Sequence, residues 1–174
     1  MDIRRAVPKD IDSVSEIYEM THDAEEAGLT STGWMRGVYP TRETAESALS
    51  RGDLFVETDA NGDVVGAAVI NRLQVDVYEG APWRYPAEDG QVMVLHTLVI
   101  SPEKRGGGFG RAFVGFYEDY AEAHGSPFLR MDTNARNTSA RAFYKALGYS
   151  EIAVVPTTFN GIPGVDLVLL EKKL

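Results

Sequence analysis

The chain has 174 residues, enough to bury a hydrophobic core, and at 44% hydrophobic and 25% charged it falls outside the disordered and fibrous classes. A formal net charge of −9 disfavours attachment to nucleic acid or an anionic membrane and leaves attraction of a cationic acceptor open. Cysteine is absent, which rules out disulfides, thiolate metal sites and covalent catalysis through an enzyme thiol.

No apolar run approaches the roughly 20 residues of a membrane helix. The N-terminal Met1-Asp2-Ile3-Arg4-Arg5 lacks the apolar stretch of a secretory signal, so a cytoplasmic protein is expected. Without internal repeats or linkers, residues 1–174 read as one domain.

Residues 3–6 read as a short strand stopped before Pro8, and residues 8–28 as a helix with Ile11, Val14, Ile17 and Tyr18 at helical spacing. A second helix is expected over residues 42–50, with Thr41 as its cap. The period then shortens. Residues 53–58 and 64–73 are strand-like and joined through Asn61-Gly62, a hairpin signal because both residues tolerate positive φ. A loop of aromatics, prolines and acids fills residues 75–90, and residues 91–100 form the continuous apolar run of a strand buried on both faces. Residues 110–124 form an amphipathic helix closed by Gly125, residues 128–132 a strand, and residues 137–147 a helix ending before Gly148. Strands over residues 149–155 and 165–170 finish the chain, and the order implies a mixed sheet with helices on both faces.

The most informative segment joins the buried strand to the next helix: Arg105-Gly106-Gly107-Gly108-Phe109-Gly110-Arg111. Glycines there let a ligand approach main-chain amides, and the positive end of the helix dipole stands behind them. Such a site suits phosphate oxygens, with Arg105 and Arg111 adding charge-assisted bonds. The phosphate loop Gly-x-x-x-x-Gly-Lys-Ser/Thr does not occur, and a dinucleotide pattern starting at Gly106 would put its third glycine at Arg111.

Residues 105–110 match Q/R-x-x-G-x-G/A, and the chain thereby resembles the GNAT acetyltransferase superfamily. Asn137-Thr138-Ser139-Ala140-Arg141-Ala142-Phe143-Tyr144-Lys145-Ala146-Leu147-Gly148-Tyr149 resembles that family's N-x-x-A-x-x-F-Y-x-x-x-G-F/Y segment. The resemblance implies an α/β fold with a mixed, mostly antiparallel sheet of six to seven strands and about four helices. It also implies acyl-CoA, most simply acetyl-CoA, bound in a V-shaped gap between the fourth and fifth strands. Leu98, Val99 and Ile100 would then offer backbone bonds to the pantetheine arm, Gly106 to Arg111 would hold the pyrophosphate, and Asn137 would contact the cofactor from the other side. Homodimers are frequent in that family.

Acyl transfer to an amine needs a neutral amine, a donor for the developing oxyanion, and a proton for the leaving thiolate. A backbone N–H near Val99 is the natural oxyanion donor. Tyr144, at the position of the family's tyrosine, is the expected proton donor and also a cofactor contact. His96 in the buried strand is the first candidate for general base, with Asp132 and Glu25 or Glu26 as rivals. The amine acceptor, a small molecule or peptide, is expected among Trp34, Tyr39, Tyr85 and Asp132, near Asp76, Glu79, Glu88 and Asp89. A non-enzymatic acyl-CoA sensor and, more remotely, a nucleotide-binding module stay open at this level.

Overall fold

A computed structural model describes residues 2–174, the side chain of Asp89 excepted. Strand β1 (Asp2–Arg5) is followed by α1 (Ile11–Glu26), α2 (Arg42–Arg51), β2 (Leu54–Thr58), β3 (Val64–Asn71) and β4 (Val92–Ile100). Then come α3 (Phe109–Ala123), β5 (Phe128–Asn134), α4 (Thr138–Ala146), β6 (Ser150–Phe159) and β7 (Ile162–Lys173). The seven strands form one sheet in the order β1-β2-β3-β4-β5-β7-β6, and β4 with β5 is its single parallel pair. The element order is the one the sequence periodicity implies. Among the described residues no helix is long and apolar enough to cross a membrane.

The two faces of the sheet are covered differently. On one, Val14, Ile17 and Tyr18 of α1 and Ala45 and Ala48 of α2 pack on Leu54, Val56 and Val69. The far half of the same face is roofed by the 75–87 segment, whose Tyr78 packs on Val92, Val94, Leu167 and Leu169. On the other face Phe113, Val114 and Tyr117 of α3 meet Phe55, Met93, Leu129, Met131 and Val168, with Tyr144 of α4 beside them. Alternation along each strand sends odd and even residues to opposite cores, so one run of apolar residues such as β4 serves both.

The hairpin expected through Asn61-Gly62 is present, with β2 and β3 paired antiparallel, but its loop has a geometry of its own. At Asn61-Gly62 only the glycine takes positive φ (+87°), and the carboxylate of Asp59 organises the turn by accepting from the amides of Asn61 (2.9 Å) and Asp63 (3.2 Å). The tight two-residue hairpin with both φ positive is instead Asn160-Gly161 (51° and 79°), which joins β6 to β7. That hairpin carries the ladder well beyond the expected strands, over Ser150–Phe159 and Ile162–Lys173.

Glu57 of β2 is fully buried and neither carboxylate oxygen has a hydrogen-bond partner. Burial pushes its carboxyl up from 4.5 to about 7. The native protein therefore holds this proton across a window in which the unfolded chain releases it, and stability falls as pH rises through that window. Glu57→Gln, which cannot ionise, is expected to match the parent near pH 5 and to exceed it by about 1–3 kcal/mol at pH 8. Urea denaturation of both proteins at the two pH values checks this; equal stabilities at pH 8 would contradict it.

Candidate active site

The site begins where β4 and β5 part. Their parallel ladder runs from Val92 opposite Phe128 to Leu95 opposite Met131 and then stops. Just beyond, β4 bulges: its pairing with β3 shifts between Val69–His96 and Ala67–Val99, so β4 carries one extra residue there. Thr97 in the bulge has φ +53°, unusual for a β-branched residue, and its hydroxyl is hydrogen-bonded to that of Tyr39. At the closed end of the gap the buried Tyr117 hydroxyl lies 2.6 Å from the carbonyl of Met93 and 3.2 Å from that of Arg130, tying the two strands together. The edge of residues 98–100 that would have faced β5 is left without a strand partner.

That edge forms one wall of a cleft of about 740 Å³. The chain leaves β4 through a single turn (Pro102–Lys104) and enters α3 at Phe109, with Gly108 as its N-cap at φ +86°. The amides of residues 108–111 have no backbone carbonyl partner among the described residues, as the first turn of a helix dictates. Arg105 and Arg111 border the same cleft, and neither takes part in an ion pair among the described residues. The arrangement is an anion cradle with positive charge beside it.

Eleven of the twelve residues expected to hold the cofactor line this cleft: Leu98, Val99, Ile100, Arg105, Gly106, Gly108, Phe109, Gly110, Arg111, Asn137 and Tyr144. Gly107 does not; it turns back against the Phe109 ring, which would stand 2.9 Å from a Cβ at that position. Asn137 has a second task, since its Oδ1 caps α4 by accepting from the amide of Ala140 at 3.1 Å, leaving its amide nitrogen for the cleft. Lys104 also lines the cleft but is paired with Asp59 at 2.9 Å. The opposite lip, residues 28–32, carries no sequence pattern. Glu25 holds it in place, accepting from the amide (2.7 Å) and hydroxyl (2.9 Å) of Thr32 and the amide of Gly33 (3.1 Å).

A second, smaller cavity of about 150 Å³ adjoins the first. Thr32, Leu98, Asn137, Ala140 and Tyr144 line both. Its own walls include Trp34 and Tyr39, edge to face at 6.1 Å, together with His96, Asp132 and, from the β6–β7 hairpin, Phe159 and Asn160. Asp132 accepts a hydrogen bond from the Tyr78 hydroxyl at 2.7 Å, and burial pushes its carboxyl up to about 6 against the pull of that bond. Burial also raises the phenol of Tyr39 to about 12 and that of Tyr144 further, with the negative field of Asp132 acting on both.

His96 reaches this cavity in a different state from the one a general base needs. The Asn71 amide is oriented by its Nδ2 donating to Asp53 at 2.8 Å, so its Oδ1, which also accepts from the amide of Leu73 at 2.9 Å, faces the imidazole. His96 Nε2, 3.1 Å away, must then donate. Burial pushes the imidazole down to about 4, which makes it a weaker base than Asp132.

Three further expectations are corrected. Tyr85 does not reach the acceptor cavity; its ring stacks on Phe128 at 5.8 Å and its carbonyl faces Arg130. Neither Glu25 nor Glu26 is available as a base, the first serving the 32–33 amides and the second paired with Arg36 at 2.9 Å. Among the acids near the 75–90 loop, Asp76, Glu79 and Glu88 do not line the cavity, where Asp132 is the one carboxylate among the described residues; the expectation for the Asp89 side chain lies outside what the structure describes. Tyr78, first of the aromatic residues 78–85 expected to border the acceptor, does not line the cavity itself but donates to Asp132, which does. Its partner is 54 positions away, and no local pattern announces such a bond.

Comparison with known proteins matches residues 14–149 to the acetyltransferase (GNAT) family, and the chain belongs to that family. An uncharacterized N-acetyltransferase of Methanocaldococcus jannaschii is 24% identical over 88% of this chain. The chain spans 62% of that relative's length and 39% of the length of a second curated relative. A solved GNAT-family acetyltransferase of Streptococcus agalactiae superposes with a TM-score of 0.82 at 25% identity, covering 99% of this chain and 95% of that one. A phosphinothricin acetyltransferase of Sinorhizobium meliloti, solved in complex with acetyl-CoA, superposes with a TM-score of 0.71 at 22% identity, covering 99% and 88%, and shares the fold.

Gly108 sits in a left-handed conformation with open space beside its Cα, at the mouth of the cradle. Acetyl-CoA is expected to raise the Tm of the parent protein, because it binds only the folded state. Gly108→Ala should keep most of that shift after a conformational cost of about 1 kcal/mol, whereas Gly108→Glu should lose it through bulk and like charge. Differential scanning fluorimetry reads both; an undiminished shift in Gly108→Glu would place the anion site elsewhere.

Proposed function

We propose that the chain is one acetyltransferase domain over its 174 residues, moving an acetyl group from acetyl-CoA to a primary amine directly, with both substrates bound at once. The observation that carries this reading is the junction of the two cavities at Leu98 and Tyr144. An anion cradle lies at one end of a continuous space and the half-buried carboxylate of Asp132 at the other, and the absence of cysteine removes the commonest covalent relay.

Acetyl-CoA supplies the acyl group as a thioester. The amides of residues 108–111, with Arg105 and Arg111, bind its pyrophosphate, and the free edge of residues 98–100 takes the pantetheine amides. The bulge leaves Thr97 and Leu98 outside the pairing with β3, and a main-chain N–H of this stretch is the donor assigned to the charge developing on the acyl oxygen.

Asp132 receives the amine proton, directly or through water. It is the strongest base lining the cavity, and Tyr78 fixes its orientation. Tyr144 enters with its phenol protonated, since burial holds it above its ordinary value, and it supplies the proton to the departing thiolate. Trp34 and Tyr39 wall the acceptor against water.

Thiol release with acetyl-CoA and a panel of primary amines tests the reading. Tyr144→Phe should lower kcat about 10–100-fold with little change in KM for acetyl-CoA. Because Asp132 must be ionised to act, turnover should rise as pH increases through about 6, and Asp132→Asn should flatten that limb while lowering kcat. An unchanged kcat in Tyr144→Phe, or an acid limb that survives in Asp132→Asn, would remove the corresponding role.

A further inference from the structure

We infer that the acceptor is a compact amine with no acidic group beside the amino nitrogen, a decarboxylated amine rather than an amino acid. The inference rests on the proposal that the smaller cavity receives the acceptor.

Size sets the first limit. The cavity holds about 150 Å³. A cavity of that volume takes a molecule of about the bulk of benzene, so the enclosed part of the acceptor has on the order of six to eight non-hydrogen atoms. A short alkyl chain or one ring fits, and anything longer must emerge from the mouth.

Charge sets the second. Asp132 is the one carboxylate on the wall, and no lysine or arginine stands there among the described residues. Two of the nearby cations are committed elsewhere. Arg51 is paired with Asp53 at 2.9 Å, while Arg130 lies over the Trp83 ring at 4.0 Å and donates to Gln74 at 2.5 Å. Arg136 is exposed and beside Gly33, and it is not among the lining residues. His96 cannot substitute, since burial holds the imidazole neutral and its Nε2 already donates to Asn71.

A carboxylate attached next to the amine would enter this space without a counter-charge and within reach of Asp132. It would lose its hydration and meet like charge, the two costs that most strongly exclude an anion from a protein interior. An ammonium or amine meets the opposite conditions. Asp132 attracts it, and the rings of Trp34 and Tyr39 offer apolar surface to its aliphatic stem, with a ring face the favoured seat for the cation itself. The neutral polar groups at Thr32, Asn134 and Asn160 can serve a hydroxyl or second nitrogen, but none neutralises an acid.

Matched pairs that differ by one carboxylate isolate the point: phenethylamine against phenylalanine, histamine against histidine, putrescine against ornithine. For each, thiol release is measured with saturating acetyl-CoA at pH 8, and binding to the CoA-saturated protein is measured by calorimetry. The amine of at least one pair should react with a kcat/KM about 100-fold above that of its amino acid. In Asp132→Asn, the binding preference within that pair should narrow to under about tenfold, because the repelling charge is gone. Thiol release that is as fast or faster with the amino acids overturns the inference and leaves acetyl transfer standing. Amines that bind selectively without thiol release support the inference and sink the transfer reading. Failure of every amine to bind or react at about 10 mM overturns the inference.

Discussion

The parting of β4 from β5 is the constraint on which the rest of the structure depends. A parallel pair covered on both faces would ordinarily continue its ladder to the ends of both strands, because an unpaired buried amide is expensive. Here the ladder stops at Leu95 and Met131, and an extra residue in β4 turns the chain away. The closed end is tied by Tyr117 between two carbonyls, and the open end is held by the hydroxyls of Tyr39 and Thr97. The left-handed Thr97 stores local strain that the surrounding packing must overcome, as is common where backbone is aimed at a ligand. Main-chain groups freed in this way are donors and acceptors with no partner in the sheet, ready for one from solution.

The two ends of the opened space have opposite electrical character. At one, the first turn of α3 exposes amides at the positive end of a helix dipole, with Arg105 and Arg111 beside them, in a chain whose net charge is −9. At the other, Asp132 accepts from the Tyr78 hydroxyl, and its negative field reaches the phenols of Tyr39 and Tyr144. Keeping that carboxyl desolvated opposes folding at neutral pH, and the Tyr78 bond offsets only part of the cost. A stable protein gains nothing from such a group. A transfer reaction gains a base whose strength exceeds that of an ordinary carboxylate.

Much of the cofactor side was legible in the sequence because it is local. The helix stripes over α1 and α3, the buried run of β4, and the glycines before α3 each follow from spacing within about 15 residues. Asn137 could be placed at the start of α4 for the same reason. The acceptor side resisted because its contacts are long-range. Tyr78 and Asp132 are 54 positions apart, and Tyr39 and Thr97 are 58 apart. Aromatic composition in residues 78–85 did not reveal that Tyr78 braces Asp132 while Tyr85 stacks away on Phe128. Two Asn-Gly pairs looked alike in sequence, yet only Asn160-Gly161 forms the tight hairpin with both φ positive, since Asp59 reshapes the other loop. His96 shows the same gap at the level of chemistry: its position was readable, but burial sets its protonation and the Asn71 amide, oriented by Asp53, sets its tautomer.

This division has a physical origin. Recognition of a pyrophosphate by backbone amides requires consecutive residues at fixed spacing, because the chain itself is the ligand-binding group, and a sequence motif is the result. Recognition of an amine uses side chains, and those can be delivered from any segment that the fold brings near. Here they come from the 32–39 loop, the end of β4, β5 and the β6–β7 hairpin, with Tyr78 bracing Asp132 from behind. Each can change without disturbing the cradle, because the two sites share only the few residues at their junction. On the proposed reading, local backbone geometry fixes the acyl donor, and the size of one cavity and the sign of the single carboxylate described on its wall set the acceptor.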